Sequence, residues 1–157
     1  QVDRFMLKVL VDYPTHEEER EILNRMAKTS SNTNVECVMQ SESIAHARKL
    51  VDQIYVDENI ADYIVNIVQT TRSPEQVSED FAVFVENGAS PRATLALTLC
   101  AKANAFLEGR GYVIPQDVKD MAHDVLRHRI ITSYEAEAEG VTADNIISSI
   151  LNYVKVP

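Results

Sequence analysis

Apolar residues recur at spacings of three and four along most of this chain, and that periodicity constrains its fold more than any other feature. Ile60, Ile64, Ile67 and Val68 form one stripe. Val118, Met121, Ala122, Val125 and Leu126 form a second, and Ile146, Ile147, Ile150, Leu151 and Val154 a third. A run from about Ser41 carries Ile44, Ala47, Val51 and Ile54 in the same way. Each stripe lies on one face of a helix with 3.6 residues per turn and has to be buried against another element. The expected class is mainly α, a helical bundle.

The helix starts are marked by residues that satisfy free backbone amides. Thr15-His16-Glu17-Glu18 has the form of a capping box, with Ile22, Leu23 and Met26 as the expected buried stripe behind it. Asp57 suits the N-cap of the helix that carries Ile60. Ser90-Pro91 places a capping hydroxyl before a proline at the first helical position. The helix it opens carries Leu95, Ala96, Leu99, Cys100, Ala103, Phe106 and Leu107 over a wide arc, so it is expected at the centre. Gly109 and Gly111 stop it, Pro115 starts the next, and Thr142 caps the last. Thr29 to Asn34 reads as a polar loop. Ser73 to Gly88 reads as a structured connection with one short apolar anchor at Phe81, Val83, Phe84 and Val85.

The N-terminus follows a different pattern. Phe5 to Val11 is apolar on both faces apart from Lys8, as in a strand buried within a parallel sheet, and Asp12-Tyr13-Pro14 ends it. One such strand has no use alone. Its partners are expected upstream, in a longer protein from which this chain starts internally, with no initiating Met and no basic leader.

Bulk properties exclude several classes. The chain has 157 residues, 45% of them apolar, which is material for a real core. It has no apolar run near the ~20 residues that a membrane span needs. A net charge of −9, from 24 acids against 15 bases, argues against nucleic acid as a partner, because phosphate contacts need clustered cations. Cys37 and Cys100 form no CxxC and no zinc spacing, and they suit a reducing cytoplasm. The histidines, His16, His46, His123 and His128, offer no ligand spacing on a shared helix face, so no metal site is expected. The four glycines cannot make a phosphate-binding P-loop. Val9-Leu10-Val11-Asp12 imitates a magnesium-binding strand end, but Tyr13 stands where a catalytic Glu would follow.

Two arginines remain. Arg92 lies in the first turn after Ser90-Pro91, where a cation opposes the helix dipole. It is either an exposed first-turn arginine or a group that strengthens the anion affinity of free amides. Arg4 precedes the strand-like run and is either a surface ion-pair partner or a group at the edge of a missing sheet.

Four segments carry a family resemblance over nearly the whole chain. GASPRA at Gly88 to Ala93 resembles the sensor-2 motif of MoxR-type AAA+ ATPases. VDRF at Val2 to Phe5 resembles the arginine-finger segment of MoxR proteins and the related magnesium-chelatase motor subunits. VLRHRI at Val125 to Ile130 and EAEAEGVT at Glu135 to Thr142 resemble the MoxR lid, and Val154 to Pro157 a MoxR C-terminus. Ile114 departs from the family, which often has Thr or Ser before the helix-starting proline, and that puts one cap in doubt.

The resemblance implies a helical-bundle lid at 15–157, preceded at 1–14 by a short β remnant of a truncated α/β core. It implies a parent ATPase with upstream Walker motifs, using ATP and Mg, that assembles into a ring, a hexamer, in the cytoplasm. Arg4 would be the finger that reaches in trans to a neighbour's nucleotide. Arg92 would be sensor 2, with Ser90 and Pro91 shaping the helix start. The parent would act as a chaperone that assembles or activates partner complexes, among them von Willebrand factor A domain proteins. This fragment alone would hold no cofactor and show no activity. The alternatives are the lid of a metal-chelatase motor and a free-standing helical interaction module.

Overall fold

The structure, a computed structural model, describes residues 1–29 and 35–157. Its helices are α1 (His16–Met26), α2 (Ser41–Gln53), α3 (Glu58–Thr70), α4 (Glu79–Ala82), α5 (Pro91–Leu107), α6 (Pro115–Leu126), α7 (Tyr134–Glu139) and α8 (Ala143–Tyr153). Two short strands, β1 (Val85–Asn87) and β2 (Ile131–Thr132), pair antiparallel. The mainly α class is the one the periodicity predicts. Most of the Thr29–Asn34 loop, from residue 30, lies outside the described residues.

The core is built by α3, α5, α6 and α8. Tyr63, Ile64, Ile67 and Val68 from α3 meet Val118, Ala122, Val125 and Leu126 from α6, with Ile146, Ile147 and Ile150 of α8 closing the third side. α5 runs through the middle, packing on α6, α3 and α2. It is central, as expected, but only part of the expected arc is buried. Ala93, Ala96, Leu97, Cys100, Ala101 and Ala105 turn inward, whereas Leu95, Leu99 and Leu107 are exposed by 67%, 42% and 80%. The physical reason is distance: small side chains let α5 lie close to several helices at once, and a leucine row would hold them apart.

The caps fall where the residue types place them. Thr15 and Glu18 close a capping box, and Asp57 accepts from the Asn59 amide. The Ser90 and Thr142 hydroxyls accept from the Arg92 and Asn145 amides. At α6 the departure at Ile114 removes the capping hydroxyl, but Asp117 still reaches back to accept from the Ile114 N–H at 2.8 Å. The Ser73–Gly88 connection contains α4 and β1, and Phe81 and Phe84 pack edge to face as its anchor on the core. α7 was not foreseen: Ser133 caps it, and Gly140 ends it at φ 70°.

Two expectations for the N-terminal third need correction. Phe5–Val11 forms no strand; after a 3-10 turn at Val2–Arg4 the chain bends at Phe5 and Met6 and continues without regular secondary structure, its side chains exposed. The short β structure lies instead in the β1–β2 pair, which ties the chain before α5 to the chain after α6. The α1 stripe is also not buried: Ile22, Leu23 and Met26 are exposed by 50%, 62% and 50%. A capping box makes a helix locally sound without supplying a surface for it to pack on.

Candidate functional site

The start of α5 is fixed from below. The Thr71 hydroxyl, at the end of α3, accepts from the Ala89 N–H at 2.9 Å and donates to the Val68 carbonyl at 2.6 Å. Arg72 Nε donates to the Ala89 carbonyl at 2.6 Å. Gly88 runs so close to this turn that a Cβ there would lie 2.2 Å from the Thr71 oxygen, so only glycine passes without displacement. Ser90, Pro91 and Arg92 therefore open α5 from a rigid base.

Above this start lies the N-terminal turn. Ser90 Oγ donates to the Asp3 carboxylate at 3.0 and 3.2 Å, and Arg92 Nη1 approaches the same carboxylate at 3.2 Å. Arg129 joins from beyond the end of α6, with Nε 3.2 Å from Asp3 Oδ1. Partial burial opposes ionisation of Asp3, but the Ser90 hydrogen bond, the Arg92 hydrogen bond and the Arg129 charge outweigh it. They hold the carboxyl below its usual range. Arg4, in the same turn, is exposed. Arg4 and Arg92 line one shallow cavity of about 180 Å³, with Asp3, Arg129 and an apolar wall from Met6, Leu95 and Leu99.

The two arginines singled out in the sequence are thus brought together, with Ser90 and Pro91 at the base. Asp3 and Arg129 were missed. Arg129 had a weak signal, a second arginine interrupting the apolar end of VLRHRI. A cation after a helix C-terminus normally reads as a solvated dipole partner.

Two other polar clusters serve the frame. Asp117 is buried and accepts from Arg110 at 2.5 and 2.8 Å, Asn104 at 2.9 Å and the Ile114 amide. Its burial opposes the charge, but Arg110, the Ile114 N–H and Asn104 outweigh that and lower its pKa. Asp144 ties α8 to α6 through His123 Nδ1 at 2.9 Å and Arg127 at 3.1 Å. Among the described residues no three His, Cys, Asp or Glu side chains gather in a metal-binding group, and no helix is long and apolar enough to cross a membrane. A wider cavity of about 700 Å³ beside β2 and α7 has Glu86 and Glu137 in its wall, which disfavours an anion.

Comparison with known proteins bears on the whole chain. Residues 79–150 match the AAA lid domain family. The full chain is 38% identical to chaperone MoxR1 of Mycobacterium tuberculosis, covering 41% of it. It is 36% identical to the uncharacterized protein YeaC of Bacillus subtilis, covering 47%. A crystal structure of a candidate ATPase from Cytophaga hutchinsonii superposes with a TM-score of 0.93 at 38% identity, over 99% of this chain and 48% of that one. The chain thus spans less than half the length of each of these relatives. By motif, lid family and fold together, the chain belongs to the MoxR-type AAA+ ATPases and carries their helical lid domain.

Proposed function

We propose that this chain is the sensing and coupling half of a ring-forming ATPase, with residues 1–14 as the end of the motor core and 15–157 as the lid. In this reading Arg4 is an arginine finger directed at a nucleotide held by a neighbouring subunit. Arg92 is the sensor-2 arginine, which converts the presence of the terminal phosphate into lid movement. The observation that carries the reading is the meeting of Arg4 and Arg92 on one cavity at the capped start of α5. The donor set there suits an anion. Arg4 and Arg92, both exposed there, supply the positive charge, while the Asp3 carboxylate beside them is already held by Ser90 Oγ, Arg92 and Arg129.

Mg-ATP, bound mainly by the upstream half of the parent protein, supplies the phosphoryl group. This chain's own residues would neutralise its charge and report its loss. A ring, a chaperone-like role on partner complexes, clients with von Willebrand factor A domains and a cytoplasmic setting belong to the same proposal. Kinship with MoxR-type proteins, one of them named a chaperone, supports it.

The test uses the complete ATPase. Arg4→Ala is expected to lower kcat by roughly a thousandfold with nucleotide affinity nearly unchanged. Mixing it with a subunit that keeps Arg4 but lacks the Walker lysine should restore part of the turnover. Arg92→Ala should weaken nucleotide binding as well. Normal turnover per folded ring after either substitution would remove that arginine from the mechanism. This chain alone is expected to give no heat on titration with micromolar Mg-ATP, and tight binding there would contradict its assignment as the coupling half.

A further inference from the structure

We infer that Arg129 is a positioning residue: it holds the segment that carries Arg4 and, through Asp3, sets Arg92, so that both arginines face one cavity. The inference rests on the reading of Arg4 and Arg92 as phosphate-facing groups.

The Arg129 guanidinium is buried, its side chain 2% exposed, and a buried guanidinium has to find acceptors for its five donors. One bond stays within its own neighbourhood, to the Val125 carbonyl. The other four go to the N-terminal turn. Nε donates to Asp3 Oδ1 at 3.2 Å, Nη2 to the Asp3 and Phe5 carbonyls at 3.3 and 2.7 Å, and Nη1 to the Met6 carbonyl at 3.1 Å. The held residues flank Arg4 on both sides, while Arg4 itself is left to project.

Asp3 extends the same hold to α5. One carboxylate oxygen faces Arg129 and the other faces Arg92, with Ser90 Oγ bonded to both. The turn, the start of α5 and the chain after α6 thus meet at one carboxylate. A residue needed only for the bundle would spend its donors on the bundle. Arg129 directs four of five at residues 3–6, none of which is fully buried. Only a planar fork does this; lysine offers a point charge on a flexible stem. The chain further on has its own attachments, since the Lys8 N–H donates to the Asp124 carbonyl at 2.8 Å and Arg127 Nη1 to the Lys8 carbonyl at 2.6 Å. His128 Nε2 lies 3.0 Å from the Phe5 carbonyl. The loss of Arg129 should therefore be felt most at residues 3–6.

Backbone and arginine side-chain ¹⁵N relaxation on this chain tests the inference. In Arg129→Met, order parameters at residues 3–6 should fall from about 0.85 to below about 0.6, with α5, α6 and α8 unchanged. The Arg92 Nε–H should become mobile, and Arg129→Lys should restore part of the order. Asp3→Asn should free Arg92 while residues 5 and 6 stay ordered, and this variant decides the matter if Arg129→Met does not fold. An ordered turn in Arg129→Met overturns the inference, and so does equal loss of order throughout the helices. Arg92 remaining ordered in Asp3→Asn also overturns it. Titration with pyrophosphate separates this outcome from the reading beneath it. A mobile turn with no response to pyrophosphate at either arginine upholds the positioning role and defeats the phosphate reading.

Discussion

The first 29 residues and the chain from Ile54 onward are held by different physics. Among the described residues, every buried one lies at Ile54 or beyond. That part is a conventional core of Ile, Val, Leu and Ala, stabilised by removing apolar surface from water. None of the first 29 residues is fully buried, although they include Phe5, Met6, Leu7, Val9, Leu10 and Val11. They are attached to the bundle through backbone carbonyls, one amide and the charges of Asp3, Arg127 and Arg129. Polar attachment of this kind fixes direction at modest net free energy, about 1.5–3 kcal/mol per hydrogen bond to a charged group. It also leaves the apolar side chains of the segment free for another surface. The two regions differ as a body differs from a handle.

The comparison can be broken most sharply inside the bundle's polar frame. Asp117→Ala leaves Arg110, Asn104 and the Ile114 amide without their shared acceptor. Arg110 is part-exposed and can regain water, so the cost falls mainly on the buried donors left unsatisfied, about 1–3 kcal/mol for each. Chemical denaturation of this chain should show that loss as a lower midpoint with an unchanged slope. If Asp117→Ala were nearly neutral, the polar knot would be an accessory to the core.

A paired measurement sharpens the contrast between the regions. Ile147→Ala opens a cavity in a fully buried site and should cost about 2–5 kcal/mol. Leu23→Ala, on α1, should stay within about 0.5 kcal/mol. Equal costs would mean that α1 is buried in solution against something the fold does not reveal.

The smallest expected effect is that of pH. Asp3 and Asp117 both have folded pKa values below the usual 3.8. A depressed carboxylate contributes stability above its unfolded pKa and loses it as pH falls through the folded value. Thermal melts should therefore be level at neutral pH and decline below about pH 3.8. The decline should flatten in Asp117→Asn and change little in Asp3→Asn, because Asp3 is part-exposed and well screened.

Much of the bundle is legible in the sequence, and the reasons are local. A cap needs one side chain and amides two or three residues away, so Thr15, Asp57, Ser90 and Thr142 announce themselves. The α3, α6 and α8 stripes are legible because polar residues mark their outer faces. α5 hides its buried face because it is apolar almost all round, and only its neighbours' distance selects Ala96 and Ala101 over Leu95 and Leu99. α1 shows the opposite failure: Ile22, Leu23 and Met26 are patterned for a partner that these described residues do not provide. α7 lacks an apolar stripe and depends on Ser133. At the site, Arg4, Ser90 and Arg92 are legible through resemblance to a family. Asp3 and Arg129 are not, because a bond spanning 126 positions leaves no trace in spacing.

The tight passage at Gly88 sets how force moves through the molecule. Arg92 lies just past Gly88, whose backbone passes directly against the Thr71 carbonyl at the end of α3, while the Thr71 and Arg72 side chains bind Ala89 beside it. A contact without compressible groups behaves as a weld. A pull on Arg92 would pass to the end of α3 through this contact and through the Thr71 and Arg72 hydrogen bonds to Ala89. Any larger residue at position 88 would act as a shim, tilting the arginine without altering a single charge around it.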